Sequence, residues 1–259
     1  MRDPTCRPGR TKLQTTKVKP TAGVGSGREF SVCNLYANTM PQEAMWRLFE
    51  AIDRLGNLPS LTAIFPDADV PIVRLGQGGR RELVSARWGW TRTARSWVTN
   101  ARNLERSWRV IQNVEQRCLV PATAFAEYHP TATIPGAHGR PIKAAAWFRL
   151  TGPTERPPFA FPGFWRPWDW KTDGMRRTSD RDLAADGEAT RAMVFLTCPP
   201  NGVVRPIHPK AMPVVLHTEA QFETWLTGDA VSAANLQRPL PNAMLEIAFI
   251  GAKADEISP

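Results

Sequence analysis

Cysteine and histidine are scarce in this chain, with four of each among 259 residues. Cys6, Cys33, Cys118 and Cys198 make no CxxC pair and no metal-like spacing, which reads as reduced thiols of a cytoplasmic protein rather than a disulfide framework. The histidines are scattered, with no HExxH or paired-ligand pattern, so no metal site is expected. No run approaches the roughly 20 apolar residues that a membrane-spanning helix needs, and no apolar stretch near the start has the form of a secretory signal. An internal repeat is also missing.

What remains fits one sizeable core. Apolar residues make up 42% of the chain, enough for a single folded domain of this length. The net charge of +9 and the pI near 9.9 suit a polyanionic partner. That charge is unevenly placed: residues 1–32 hold seven basic side chains against two acids. The same stretch carries Pro4, Pro8 and Pro20, four glycines and no periodic apolar face, so it reads as a disordered extension. The folded domain is expected over 33–259.

Apolar periodicity begins at Cys33. A short strand is predicted at 33–36, followed by a helix. Thr39-Met40-Pro41-Gln42 has the form of a capping box, Met45, Leu48, Phe49, Ile52 and Leu55 fall at helical spacing, and Gly56 is a natural stop. Short strands are expected at 62–65, 72–75, 118–128, 192–197 and 245–250, with 144–150 and 159–165 paired to each other. Thr218-Glu219-Ala220-Gln221 caps a second helix closed by Gly228, and 166–190 reads as a loop insertion. Many short strands and few helices predict an α+β fold on a largely antiparallel sheet or barrel.

Four polar residues interrupt apolar or aromatic text: Cys33, Asn100, Glu127 and His208. A cysteine that opens a chain offers two nucleophiles on one residue, a thiol and an α-amine; in mid-chain it is a small buried residue. An acid inside Phe125-Ala126-Glu127-Tyr128 suits proton transfer, or pairs with an arginine in the core. His208 can shuttle a proton near neutral pH or serve the fold, and Asn100 can act at a site or cap a helix. Of the ten tryptophans, most suit core packing. Trp88 and its neighbours could offer stacking faces to bases, with Arg87 and Arg102 near the backbone.

The order of these residues closely resembles that of the SRAP family, the SOS response-associated peptidases or abasic-site processing proteins. The resemblance rests on Cys33-Asn34-Leu35-Tyr36, Arg87-Trp88-Gly89, Asn100-Ala101-Arg102, Arg117-Cys118-Leu119-Val120-Pro121, Phe125-Ala126-Glu127-Tyr128 and Ile207-His208-Pro209-Lys210-Ala211-Met212-Pro213. It runs from Cys33 to about residue 228.

The resemblance implies a single-domain SRAP-like protein that crosslinks to abasic sites in single-stranded DNA during the DNA damage or SOS response. Cys33 corresponds to the N-terminal nucleophile. Asn100 and Arg102 correspond to the lesion-side residues, Glu127 to the acid that assists ring opening and reversal, and His208 to a proton shuttle. Lys210 corresponds to a phosphate contact and Trp88–Gly89 to a wedge for a flanking base, with Arg87 a further candidate for a phosphate. No cofactor is implied. A monomer is expected, in the cytoplasm and on the nucleoid when bound. Two alternatives are a cysteine (auto)peptidase using Cys33, Glu127 and His208, and a non-catalytic single-strand-binding module. The functional chain is expected to begin at Cys33, because an amide nitrogen cannot form an imine. Either translation starts at Val32 or the protein cuts its own Val32–Cys33 bond.

Overall fold

Short apolar segments, several of them buried along all or nearly all of their length, give strands almost from the first described residue. The computed structural model describes residues 34–93, 96–104, 108–154, 156–168 and 191–255. Cys33, the extension 1–32 and most of the 166–190 insertion lie outside them. The elements in order are β1 (Leu35–Asn38), α1 (Gln42–Leu48), β2 (Ile52–Asp53), β3 (Leu61–Ile64), β4 (Asp69–Leu75), β5 (Arg81–Trp88), β6 (Trp90–Thr93), β7 (Ser96–Val98), β8 (Asn100–Ala101) and α2 (Trp108–Gln112). There follow β9 (Arg117–Ala122), β10 (Ala124–Pro135), β11 (Pro141–Leu150), β12 (Phe159–Pro167), β13 (Arg191–Cys198), β14 (Met212–Pro213), α3 (Glu219–Thr227), α4 (Ala230–Ala234) and β15 (Leu245–Gly251).

Two sheets carry the molecule. In one, the antiparallel pairs β13–β12, β12–β9, β9–β4 and β4–β5 are joined by a parallel β13–β5 contact. The five strands therefore close into a barrel, which leaves those strands no unpaired edge. The other sheet runs β15-β11-β10-β1-β3 and is antiparallel throughout. One face of this sheet gives Tyr36, Phe125 and Phe148 to the main core, where they join Trp88, Phe161 and Phe195 of the barrel strands. Its opposite face buries Leu35, Ala37, Ala124, Ala126, Ala145 and Trp147. Residues 252–255 lie along that sheet. The Trp147 indole N–H donates to the Ala252 carbonyl at 2.9 Å, and the Asp255 amide donates to Thr62 at 2.8 Å. Asp255 is fully buried and its carboxylate meets both Arg149 and Arg156.

Three local expectations need correction. The Thr39 capping box does not form, because the Thr39 hydroxyl lies 3.1 Å from that of Thr123, leaving Pro41 at the cap of α1. Gln42 instead ties down the chain that follows, donating to Asp53 at 2.7 Å and accepting from the Leu58 amide at 2.9 Å. The helix also ends at Leu48 rather than running to Gly56. Glu50 takes a left-handed φ of 48°, and Ile52–Asp53 then joins β5 as a strand. The segments 144–150 and 159–165 do not pair with each other; β11 lies between β10 and β15, while β12 lies between β9 and β13. The second capping box, by contrast, is formed in full at Thr218 and Gln221.

Candidate active site

The first strand, which opens two residues after Cys33, lies beside the strand that carries the acid. β1 pairs with β10, setting Leu35 opposite Ala126 and Tyr36 opposite Phe125. Glu127 closes the buried half of β10, 6% exposed, and Tyr128 beyond it is open to solvent. On its other side Glu127 faces Ala146 of β11, a residue of the main core. The carboxyl group thus sits at the rim of the core, partly removed from water, as a proton-transfer group requires.

Asn100 belongs to a strand and caps no helix. β8 runs parallel to β13, with Asn100 opposite Phe195. The Asn100 amide nitrogen donates to the Thr99 hydroxyl at 3.2 Å. The Thr99 carbonyl in turn accepts from the Trp88 indole at 3.0 Å. Trp88 stands edge-on to Tyr36 at 5.1 Å and packs on Phe195 at 5.2 Å. Through this aromatic cluster Asn100 is coupled to β1.

His208 lies in the loop between β13 and β14. Phe195–Leu196 bond to β8, and the next two residues, Thr197–Cys198, bond to β14. The loop before β14 holds His208 by its backbone, the amide donating to Val204 at 2.8 Å. Its Nδ1 lies 3.0 Å from the Ala211 carbonyl. With Nδ1 as donor there, Nε2 keeps the lone pair that accepts a proton. Asn201 builds this loop: its side-chain oxygen accepts from the Val203 and Val204 amides at 3.1 and 3.0 Å, and its nitrogen donates to Leu240 at 2.9 Å. The sequence shows Asn201 only as part of a Pro-Pro-Asn-Gly turn, and its supporting role depends on the distant Leu240.

The charged residues divide into two kinds. Arg102 and Lys210 are exposed and enter no ion pair among the described residues. The Arg102 carbonyl is held by Gln237 at 2.8 Å, which fixes the backbone while the guanidinium stays in water. Arg87, expected at a phosphate, is instead buried. Its Nε donates to Asp67 at 2.5 Å, and its guanidinium lies over Trp168 at 5.3 Å. Asp69 stands across the strand pair from Arg87; burial pushes its carboxyl up, with Arg87 opposing and Asp67 adding to the shift. Trp88, expected as a base-stacking wedge, is also corrected, since it is fully buried and has no face for a base. The two misplacements have different causes: Trp88 points into the aromatic core, and Arg87, on the opposite face of β5, is covered by Asp67 and Trp168. Gly89 holds the turn after β5, with φ of 106° and its amide donating to Met193 at 2.7 Å. That backbone geometry favours glycine.

Cys118 and Cys198 do not compete as nucleophiles. Both are buried and free, and burial pushes both thiols up, that of Cys198 to about 12. Almost no thiolate forms there at neutral pH. Among the described residues no three His, Cys, Asp or Glu side chains come together as metal ligands, and no helix is long and apolar enough to cross a membrane.

Comparison with known proteins places the chain. The sequence model of the family described as SOS response associated peptidase (SRAP) matches residues 32–254. No curated protein matches. Solved structures do. A protein from Bordetella bronchiseptica superposes with a TM-score of 0.60 at 20% identity, covering 87% of this chain and 100% of that one. A phage-related protein from the same organism gives 0.57 at 19% identity over 83% and 92% of the two chains. A protein from Bacteroides thetaiotaomicron gives 0.56 at 16% identity over 83% and 90%. These likenesses establish a shared fold.

Proposed function

Because the chain belongs to the SOS response associated peptidase (SRAP) family, we propose that it is an abasic-site sensor that crosslinks covalently to single-stranded DNA through Cys33. The observation that carries this reading is the pairing of β1, which opens two residues after Cys33, with β10, which bears the buried Glu127. The strand that follows Cys33 in sequence thus lies beside the strand that bears the acid. In the proposed reaction the Cys33 α-amine attacks the aldehyde carbon of the ring-opened sugar. The carbonyl oxygen leaves as water, and an imine remains. The thiol sulfur then adds to the imine carbon, its proton passing to nitrogen, and a thiazolidine ring closes. Two nucleophiles on one residue make the second step intramolecular, which is its advantage over a thiol on another strand.

Glu127 removes the amine proton and returns one to the departing oxygen. His208, with Nε2 available, serves the sugar hydroxyl during ring opening. Asn100 contacts the lesion, and the exposed Arg102 and Lys210 meet the flanking phosphates. The reaction needs a free amine, so residues 1–32 are absent from the working protein and the catalytic domain is 33–259. Such a protein acts as a monomer in the cytoplasm and joins the nucleoid when bound.

The test is a gel shift that survives SDS and heat. A chain beginning at Cys33 should give it with an abasic single-stranded oligonucleotide and not with intact DNA. Binding before crosslinking should weaken steadily as salt rises, because Arg102 and Lys210 displace counterions. Salt-independent affinity without a durable adduct, together with cleavage of a peptide bond before Cys33, would favour the peptidase reading.

A further inference from the structure

The β1–β10 ladder has a regular register: Leu35 faces Ala126, Tyr36 faces Phe125 and Ala37 faces Ala124. Asn34 is the residue just before β1, and extending the register by one residue beyond Leu35 sets it opposite Glu127. The two side chains also share a face. Side chains alternate along a strand, so Asn34 points with Tyr36 and Glu127 points with Phe125. Tyr36 and Phe125 both pack on Phe161, at 5.5 and 6.5 Å between ring centroids. Directly opposed residues on one face have Cβ atoms about 4.5–5.5 Å apart, within reach of a carboxamide–carboxylate hydrogen bond. Asn34 is half-buried at this position and is bonded to Cys33 through its own peptide nitrogen. It joins the nucleophile along the chain to the acid across the sheet.

We infer that Asn34 is a positioning residue for the chemistry at Cys33: its carboxamide N–H donates to the Glu127 carboxylate and fixes the orientation of that acid. This rests on the crosslinking function proposed above. A donor on the charged form stabilises it, so Asn34 keeps Glu127 ionised and able to take a proton at neutral pH. Alanine at position 34 removes that donor. Aspartate there sets two carboxylates opposite each other, and two like charges in one site force one of them to hold its proton to higher pH.

The experiment measures single-turnover crosslinking against pH for chains beginning at Cys33, using an abasic single-stranded oligonucleotide. Asn34→Asp should move the acidic limb of the profile upward by about one pH unit or more. In a Glu127→Gln background, Asn34→Asp should leave the profile of the single Glu127→Gln variant unmoved. Asn34→Ala should slow the reaction roughly tenfold at neutral pH, the effect of losing one hydrogen bond to a charged group. Titration of the Glu127 carboxyl by NMR, without DNA, reads the same pair independently and should move upward in both Asn34 variants. A Glu127 titration unchanged in Asn34→Ala and Asn34→Asp overturns the inference, whatever the crosslinking result. A wild-type chain that makes no durable adduct overturns the proposed function instead, while the NMR titration still decides whether Asn34 and Glu127 are coupled.

Discussion

Glu127→Gln, in a chain beginning at Cys33, is expected to slow adduct formation with abasic single-stranded DNA by about 10²–10⁴-fold, the usual contribution of a general acid–base group. The fold should tolerate it. Glutamine has nearly the same shape, and β10 is held at this point by its backbone ladder to Ala146. The Glu127 side chain is buried, 6% exposed, so an amide of the same size keeps the packing around it. The melting temperature should therefore stay within about 3 °C of wild type, a loss of roughly 1 kcal/mol for a chain this long. Unchanged kinetics with a large fall in melting temperature would make Glu127 a structural residue.

Arg117→Ala should have the opposite signature, a large loss of stability. Arg117 is fully buried. Its Nε and Nη2 donate to the Ile111 carbonyl in α2, and Nη1 donates to Trp225 at 3.0 Å and Gly228 at 2.7 Å at the end of α3. These carbonyls carry the negative ends of two helix dipoles, which accounts for a cation in the core. Burial lowers the Arg117 pKa, and the nearby Asp229 opposes that shift. Alanine would leave three carbonyls to find new donors, two of them buried at about 1–3 kcal/mol each, and would leave a cavity under Trp225, on which the guanidinium packs at 5.8 Å. A loss of about 4 kcal/mol or more is expected, which is roughly 8–16 °C in melting temperature for a chain of this size. Arg117→Lys should recover only part of it, since one ammonium cannot span carbonyls on two helices. A variant melting within about 2 °C of wild type would contradict this account of how α2 and α3 are held to β9.

Local chemistry was readable where it stayed local. Thr218 and Gln221 satisfy each other within one turn, and the helix they predict is present with its cap complete. Thr39 and Gln42 carry the same pattern, but Thr123 from a distant strand takes the threonine hydroxyl, and nothing in residues 39–42 announces that competitor. The strand character of 118–128 and the burial of Glu127 were equally plain, but not that the segment divides at Thr123 into two strands of different sheets. Partner choice was not: 144–150 and 159–165 are neighbours in sequence but lie in different sheets, because β11 finds β10 and β15 while β12 finds β9 and β13. At the site, Asn100, Glu127 and His208 were visible as polar interruptions of apolar text. Arg87, Trp88 and Arg117 belong to motifs of the same kind, yet the fold uses their side chains in its interior. Short motifs mix residues that act on a substrate with residues that hold the actors in place, and only burial separates them. Asn34 is the converse case, ordinary in sequence and singled out by strand register.

The most direct test of the central claim compares two chains that differ only in what precedes Cys33. One begins at Cys33; the other begins at Met1 and is shown to be uncleaved by its intact mass. Each is incubated with the same abasic single-stranded oligonucleotide, denatured and weighed. The chain beginning at Cys33 should give a species whose mass is the sum of protein and DNA less one water, the balance of imine formation followed by thiol addition. The uncleaved chain should bind the oligonucleotide but yield no such species, because its Cys33 nitrogen is an amide. An adduct formed equally well by the uncleaved chain would contradict the amine mechanism.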